Sequence, residues 1–217
     1  MTSALITGAN RGIGLALAQE ALTRGMSVTG TSRGEPPALP GLDWQRLDVT
    51  DPASTAALGA AWGTRPLSLL VCNAGIYPDE HLAPDDPALW HAGFATNVMG
   101  VYLTIRALLP ALRAGRGKIA IIASQMGSSA RAPGGSLIYR ASKAAAINLG
   151  RNLACDLRED GIAVGIYHPG WVQTDMGGSG ADITVAVSAK GLMQRFEALG
   201  MDRSGVFEDW QGNALPF

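Results

Sequence analysis

The sequence is poor in the charge patterns that mark several classes of binding protein. Charged residues make up 16% of its 217 residues, the formal net charge is −1, and no long run carries one sign. A nucleic-acid binder, or a protein that docks on an anionic membrane, is expected to carry clustered lysine and arginine. We therefore expect neither a nucleic acid nor a membrane as a partner.

Long apolar runs and cysteines are also scarce. No apolar run reaches the ~18 residues that a membrane-spanning helix needs, and the start, MTSALITGAN, does not resemble a signal peptide. The two cysteines, Cys72 and Cys155, lie far apart and indicate reduced thiols rather than a disulfide framework. We expect a cytoplasmic protein. His81, His91 and His168 lack zinc-like spacing, so we expect no metal site.

What the sequence does contain is an alternation of short β-rich runs with longer segments rich in alanine and leucine. The predicted strands are 3–7, 26–32, 44–48, 67–72, 118–124 and 162–168, with 205–209 as a further candidate. The predicted helices are 12–24, 51–62, 85–114, 136–159 and 182–199. Alternating strands and helices, with several strands apolar throughout, predict an α/β fold with a parallel sheet covered on both faces. No linker divides the chain, so we expect one domain, 1–217.

The first predicted strand runs directly into TGANRGIG, residues 7–14, and a helix follows at once. Glycines at 8, 12 and 14 allow a tight turn and a close approach of the backbone to a ligand. The N-terminus of the new helix then favours a pyrophosphate. Three glycines can simply form a loop, but the order strand, glycine turn, helix favours a dinucleotide site.

The end of the second strand bears on which dinucleotide is bound. An acidic residue there would suit the ribose 2′-hydroxyl of NAD(H), whereas an arginine would suit the 2′-phosphate of NADP(H). The stretch is GTSRG, with Ser32 and Arg33 and no acid, and Arg11 in the glycine turn adds a second cation. We therefore predict NADP(H), with NAD(H) as the open alternative.

The segment YRASK places Tyr139 and Lys143 four residues apart in a predicted helix, and therefore on one helical face. At ~4 Å and an effective dielectric of ~20, a unit charge pair is worth ~4 kcal/mol, or ~3 pKa units. Such a lysine could lower the pKa of a tyrosine from ~10 towards ~7, where general acid–base catalysis is effective. An exposed Tyr/Lys pair of no catalytic use is the alternative.

Taken in order, several motifs resemble those of the short-chain dehydrogenase/reductase family. They are TGANRGIG (7–14), LDVTD (47–51), NAG (73–75), TNVMG (96–100), Ser124 after AIIA, YRASK (139–143) and HPGWVQTDM (168–176). The last motif and the short C-terminal end are most similar to the small carbonyl-reductase-like members of sniffer and C-factor type. The resemblance implies a Rossmann-type, doubly wound, mostly parallel seven-stranded sheet. It also implies hydride transfer between a nicotinamide and a carbonyl or alcohol.

The same resemblance implies roles for individual residues. Tyr139, Lys143, Ser124 and Asn97 would be catalytic: Ser124 would bind the substrate oxygen and Asn97 would hold a water of a proton relay. The cofactor would be bound by Gly8, Asn10, Arg11, Gly12, Ile13, Gly14, Ser32, Arg33, Asp48, Val49, Asn73, Ala74, Gly75, Tyr139, Lys143, Pro169, Gly170, Val172 and Thr174. Simpler roles stay open for some of them: a turn serine, a solvent-facing or packing Asn97, a helix cap at Asp48, or a Pro-Gly turn.

Two other functions remain compatible with these residues. A C-factor-like protein could bind the cofactor for signalling without needing turnover, and a related enzyme could epimerise or dehydrate its substrate. The alanine-rich ASKAAAINLG helix could pack against a second copy or on the protein's own sheet, so we expect a homodimer or homotetramer, with a monomer as the open alternative. Candidates for the pocket of a small carbonyl or alcohol substrate are Ile76, Tyr77, Met126, Trp171 and Met176.

Overall fold

The computed structural model describes residues 2–78 and 86–217, so the histidine at 81 lies outside the described residues. The strands are β1 Ser3–Ile6, β2 Ser27–Ser32, β3 Leu42–Arg46, β4 Leu69–Cys72, β5 Lys118–Ile122, β6 Ala163–His168 and β7 Phe207–Asp209. They form one sheet in the order β3-β2-β1-β4-β5-β6-β7. Every neighbouring pair is parallel, so the sheet is more regular than the mostly parallel one expected.

Helices cover both faces of this sheet. They are α1 Gly12–Thr23, α2 Pro52–Trp62, α3 Pro87–Phe94, α4 Gly100–Gly115, α5 Leu137–Asp156 and α6 Val185–Ala198. Successive strand residues point to opposite faces. In β4, Leu70 packs in the core beneath α2 and α4, whereas Val71 packs in the core beneath α1 and α6. The sequence-predicted fold class, a doubly wound α/β sheet, is confirmed.

The predicted boundaries differ from the observed ones most clearly at β3. The sequence predicted a strand over 44–48, but β3 begins at Leu42 and ends at Arg46, because it pairs with β2 from Val28 to Ser32. Leu47 and Asp48 lie beyond the strand, at the carboxyl edge of the sheet. The register with the neighbouring strand, rather than the local apolar run, therefore sets the limits of β3.

The long helix predicted over 85–114 is confirmed as one helical run, Pro87–Gly115, but it is not a regular α-helix throughout. The run consists of α3, a π-helical turn over Ala95–Met99, and α4. Asn97 lies in the π turn. Its side chain accepts a hydrogen bond from the Ile76 backbone nitrogen and donates one to the Ile76 carbonyl oxygen. Short polar side chains that bond nearby backbone compete with regular helix, and π turns often occur at functional sites.

By length and mean hydropathy, the helical run Pro87–Gly115 qualifies as a membrane span, contrary to the expectation from sequence. One face of this run packs against the sheet and α2, where Val101, Ile105, Leu108 and Leu112 belong to the hydrophobic core. Length and composition alone are weak evidence for a membrane segment, because a core helix of a soluble protein passes the same test.

Candidate active site

A cavity of about 630 Å³ opens at the carboxyl edge of the sheet, over β1, β2 and β4. In a doubly wound sheet this is where the strand order reverses and where ligands bind. Most residues predicted for cofactor binding line it: Gly8, Asn10, Arg11, Gly12, Ile13, Gly14, Ser32, Arg33, Asp48, Val49, Asn73, Ala74, Gly75, Tyr139, Lys143, Pro169 and Thr174. Residues distant in sequence therefore form one continuous surface.

The glycine turn fits closely beneath this cavity. A Cβ added at Gly14 would lie 2.3 Å from the Gly8 oxygen and 2.5 Å from Asn73 Nδ2, so no larger residue fits there. Gly12 opens α1 at φ 54°, in the left-handed region that favours glycine. The preceding residue, Arg11, gives the helix no side-chain cap, which leaves the first N–H groups of α1 directed at the cavity. This cradle fits a pyrophosphate.

Thr7, which the sequence analysis did not single out, holds the cradle to the next strand. Its hydroxyl accepts hydrogen bonds from the backbone nitrogens of Asn73 and Ala74, both at 3.0 Å. Asn73 Nδ2 in turn donates to the carbonyl oxygens of Thr7 at 2.9 Å and Gly8 at 3.2 Å. These bonds join the ends of β1 and β4. The sequence feature that could have revealed this role is a threonine directly before the first glycine of the turn.

At the adenosine end of the cavity, Asp48 is held by local bonds. Its Oδ1 accepts from Thr50 N at 2.9 Å and Thr50 Oγ1 at 2.7 Å, and these bonds, with a smaller contribution from Arg33, keep the pKa of the carboxyl below its usual value. Asp51, not Asp48, caps α2. The helix-cap alternative for Asp48 is therefore wrong.

The two arginines considered for the 2′-phosphate differ in their surroundings. Arg11 forms an ion pair with Asp175, a cavity-lining residue from the loop after β6 that the sequence analysis did not name. Arg33 follows β2 directly, is exposed, and lines the same cavity next to the buried Ser32. Because Arg11 is paired with a carboxylate, Arg33 is the better placed of the two cations for an anionic group.

The four residues predicted to be catalytic are all buried, and three of them come together. Tyr139, Lys143 and Ser124 are each less than a tenth exposed. The Ser124 side chain hydrogen-bonds the Tyr139 phenol, and Ser124 Oγ also accepts from Met126 N at 3.2 Å. Lys143 Nζ donates to the carbonyl oxygen of Ile122 at 2.9 Å and lies 5.6 Å from the centroid of the Tyr139 ring.

This geometry corrects the electrostatic expectation for the Tyr/Lys pair. Burial raises the pKa of Tyr139 to about 12, although the bond from Ser124 acts in the opposite direction. Burial also lowers the pKa of Lys143 to about 8. The ammonium donates to the backbone carbonyl of Ile122. Loss of hydration therefore outweighs the attraction between the two groups, and the phenol keeps its proton at neutral pH.

Asn97 is 1% exposed and does not face solvent. Its Oδ1 accepts from Ile76 N, and its Nδ2 donates to the Ile76 oxygen and to Ser142 Oγ, each at 2.9 Å. Ser142 Oγ then donates to the Tyr139 carbonyl oxygen at 2.9 Å. The Asn97 side chain thus fixes the strand-β4 loop against α5, and the solvent-facing alternative is wrong.

Four of the predicted residues do not line the cavity: Asn97, Ser124, Gly170 and Val172. Gly170 packs against Ile183 and Trp210, where an added Cβ would lie 2.6 Å from Ile183 Cδ1. Val172 is 4% exposed and forms a β-bridge with Ile183. Both shape the loop after β6, and their contact with a nicotinamide stays a prediction.

Aromatic and apolar side chains border the catalytic end of the cavity. Tyr77 packs on Tyr139 with ring centroids 4.6 Å apart, and its hydroxyl is hydrogen-bonded to Ser136. Ile76 and Met176 line the cavity, whereas Trp171 is half exposed and donates from Nε1 to the Gly177 oxygen. These side chains offer a mainly apolar surface beside the phenol.

Comparison with known proteins identifies the family. The model for short chain dehydrogenases matches residues 2–182. The chain belongs to the short-chain dehydrogenase family. Its similarity to C-signal of Myxococcus xanthus is 38% identity over 157 residues, which cover 71% of this chain and 95% of that protein.

Solved structures agree with this assignment. An NADPH-bound carbonyl reductase from chicken fatty liver has a TM-score of 0.92 at 33% identity, covering 100% of this chain and 99% of that one. The carbonyl reductase Sniffer of D. melanogaster has a TM-score of 0.93 at 28% identity, covering 100% of both chains. The expected family, its Rossmann-type fold and its oxidoreductase chemistry are confirmed.

Proposed function

We propose that this short-chain dehydrogenase is an NADP(H)-dependent carbonyl reductase that works as one domain over residues 1–217. The observation that carries the proposal is the position of Tyr139 and Lys143 in the cavity that also contains the glycine cradle and Arg33. Similarity to an NADPH-bound carbonyl reductase and to Sniffer supports the same chemistry. The substrate would be a small carbonyl compound, or its alcohol in the reverse direction.

The cofactor, when bound, supplies a hydride to the substrate carbonyl carbon. Tyr139 holds the proton for the carbonyl oxygen, and its raised pKa keeps that proton on the phenol at neutral pH. The Ser124 hydroxyl, which bonds the phenol, would orient the same oxygen and stabilise the charge that develops there. The apolar wall formed with Tyr77 would exclude water from this step.

Lys143 and Asn97 would support the proton supply. The Lys143 ammonium stands between the phenol ring and the Ile122 carbonyl, and it is within reach of a ribose hydroxyl placed beside Gly75. The Asn97 side-chain atoms are engaged by Ile76 and Ser142. With its side chain engaged, Asn97 would need its main chain to hold a relay water.

The preference for NADP(H) would rest on Arg33. Its exposed guanidinium lines the cavity beside Ser32, where an acidic residue would repel a 2′-phosphate. A guanidinium pairs well with phosphate through two parallel hydrogen bonds. Arg11 would add to this attraction after exchanging Asp175 for the phosphate.

Titration of the protein with NADPH and NADH tests the cofactor assignment. We expect NADPH to bind at least ~10-fold more tightly, which corresponds to ~1.4 kcal/mol. Arg33→Gln should remove most of that difference in affinity. Its affinity for NADH should stay within about twofold of the wild-type value. The matched control, Arg158→Gln, changes an exposed arginine after α5 and should leave both affinities unchanged. Equal affinities in the wild type would refute the NADP(H) preference.

Product analysis separates reduction from the other reactions of related enzymes. In a screen of aldehydes and ketones, each mole of alcohol formed should consume one mole of NADPH. Epimerisation or dehydration would form product without that consumption. The C-signal relative motivates a signalling role as a second possibility, yet the buried Tyr139, Lys143 and Ser124 favour turnover. A cytoplasmic location and a homodimer or homotetramer stay predictions.

A further inference from the structure

Residues 125–136 connect Ser124 to α5, the helix that carries Tyr139. The segment begins with a 3₁₀ turn, Gln125–Gly127, and ends immediately before α5. Its last three residues, Gly134, Gly135 and Ser136, have φ values of 91°, 69° and 49°. Consecutive left-handed residues form neither helix nor strand, so other contacts must hold this backbone in place.

Arg140, the second residue of YRASK, provides such contacts. Its Nε donates to the Gly135 oxygen at 3.0 Å, and its Nη1 donates to the oxygens of Arg131 at 3.1 Å and Met126 at 3.3 Å. The three carbonyls come from the start, the middle and the end of the segment. One side chain on the first turn of α5 therefore hydrogen-bonds the segment near its start, its middle and its end.

A second contact presses the start of the segment onto the same helix. A Cβ added at Gly127 would lie 2.6 Å from the carbonyl carbon of Lys143 and 2.7 Å from the nitrogen of Ala144. The 3₁₀ turn that follows Ser124 thus rests directly on the helical backbone at the catalytic lysine. Contacts with Arg140 and with Lys143 fix the segment on two adjacent turns of α5.

We infer that Arg140 is a positioning residue that holds residues 125–136 on α5 and thereby sets the Ser124 hydroxyl against the Tyr139 phenol. The inference rests on the proposed carbonyl reduction, since it gives Arg140 a task in that reaction. Arg140 does not line the cofactor cavity and acts through Ser124. The guanidinium carries its donors on separate nitrogens of a rigid plane, here Nε and Nη1, whereas a lysine carries all its donors on one nitrogen.

The variants Arg140→Met and Arg140→Lys test this role, with the exposed Arg106→Met on α4 as the matched control. Using the best carbonyl substrate of the screen, we expect kcat/KM to fall at least ~10-fold in Arg140→Met, with NADPH affinity within about twofold. Arg140→Lys should recover less than a third of the loss, and Arg106→Met should behave as wild type. A kcat/KM within twofold of wild type in Arg140→Met would overturn the inference.

The pH profile separates positioning from the loss of a charge. The bond from Ser124 lowers the pKa of Tyr139, so loosening it should move the alkaline limb of kcat/KM for reduction to higher pH. Both Arg140 variants should show this shift. If the alkaline limb of kcat/KM moved in Arg140→Met but stayed at its wild-type pH in Arg140→Lys, the shift would be an effect of charge. That result would overturn the positioning role.

Amide hydrogen exchange tests the same claim without a substrate. Exchange in residues 125–136 should be at least ~10-fold faster in both Arg140 variants, and exchange in β1 and α1 should be unchanged. Unchanged exchange in the segment would contradict the inference. Retained turnover in Tyr139→Phe would instead remove the proposed function, so the two failures are distinguishable.

Discussion

Asn73 donates two hydrogen bonds to Thr7, one from its backbone and one from its side chain. The Thr7 hydroxyl accepts from the Asn73 backbone nitrogen at 3.0 Å, and Asn73 Nδ2 donates to the Thr7 carbonyl oxygen at 2.9 Å. Thr7 directly follows β1 and Asn73 directly follows β4, so the pair joins the two strands between which the cofactor cavity opens. The pyrophosphate cradle and the ribose-side loop are therefore one connected unit.

Removing the Thr7 hydroxyl should weaken this unit. Thr7→Val keeps the shape of this side chain, which is 2% exposed, but removes the acceptor of the Ala74 backbone N–H and one of the two acceptors of the Asn73 N–H. A buried unsatisfied donor costs about 1–3 kcal/mol. We expect the free energy of unfolding, measured in urea, to fall by about 2 kcal/mol or more, and NADPH to bind more weakly.

Thr7→Ser is the matched control for this variant. It keeps the hydroxyl and loses one buried methyl group, which is worth about 0.8 kcal/mol. If Thr7→Val were no less stable than Thr7→Ser, the hydroxyl would not be what holds the two strand ends together.

The buried ammonium of Lys143 should make stability depend on pH. Burial lowers its pKa from 10.5 to about 8, which corresponds to about 3 kcal/mol at ~1.4 kcal/mol per pKa unit. Between these two values the unfolded chain carries the proton and the folded chain does not, so the free energy of unfolding rises with pH. Below about pH 8 the folded state bears the whole cost of burying the charge.

Lys143→Met should therefore be more stable than wild type at pH 7, by up to about 3 kcal/mol, while losing turnover. The difference should shrink as the pH rises towards 10.5, since the wild-type lysine is then neutral in both states. Urea unfolding at pH 7 and pH 10 measures it, with the exposed Lys190→Met as control. A wild type more stable than Lys143→Met at pH 7 would contradict the account of the buried charge.

The sequence predicted the fold class and most cavity residues because both depend on local patterns. Alternating strands and helices determine a doubly wound sheet, and the carboxyl ends of parallel strands meet at one edge. That is why Gly14, Arg33, Asn73 and Tyr139 line one cavity although they are distant in sequence.

The features that the sequence did not reveal depend on tertiary contacts. The π turn at Asn97 accompanies its bonds to Ile76, which no local pattern encodes. The same holds for Thr7 and Arg140, whose partners lie on other elements or along a loop. The electrostatic expectation for Tyr139 and Lys143 failed because it counted their attraction and omitted the burial of both groups.

The most direct test of the proposed chemistry is the rate of carbonyl reduction by Tyr139→Phe, measured beside its NADPH affinity. The change removes the phenolic hydroxyl that bonds Ser124 and leaves the ring that packs on Tyr77. Loss of a general acid typically lowers the rate by ~10²–10⁴-fold. We predict a loss in that range with NADPH affinity within about threefold of wild type. Undiminished turnover in Tyr139→Phe would contradict the account.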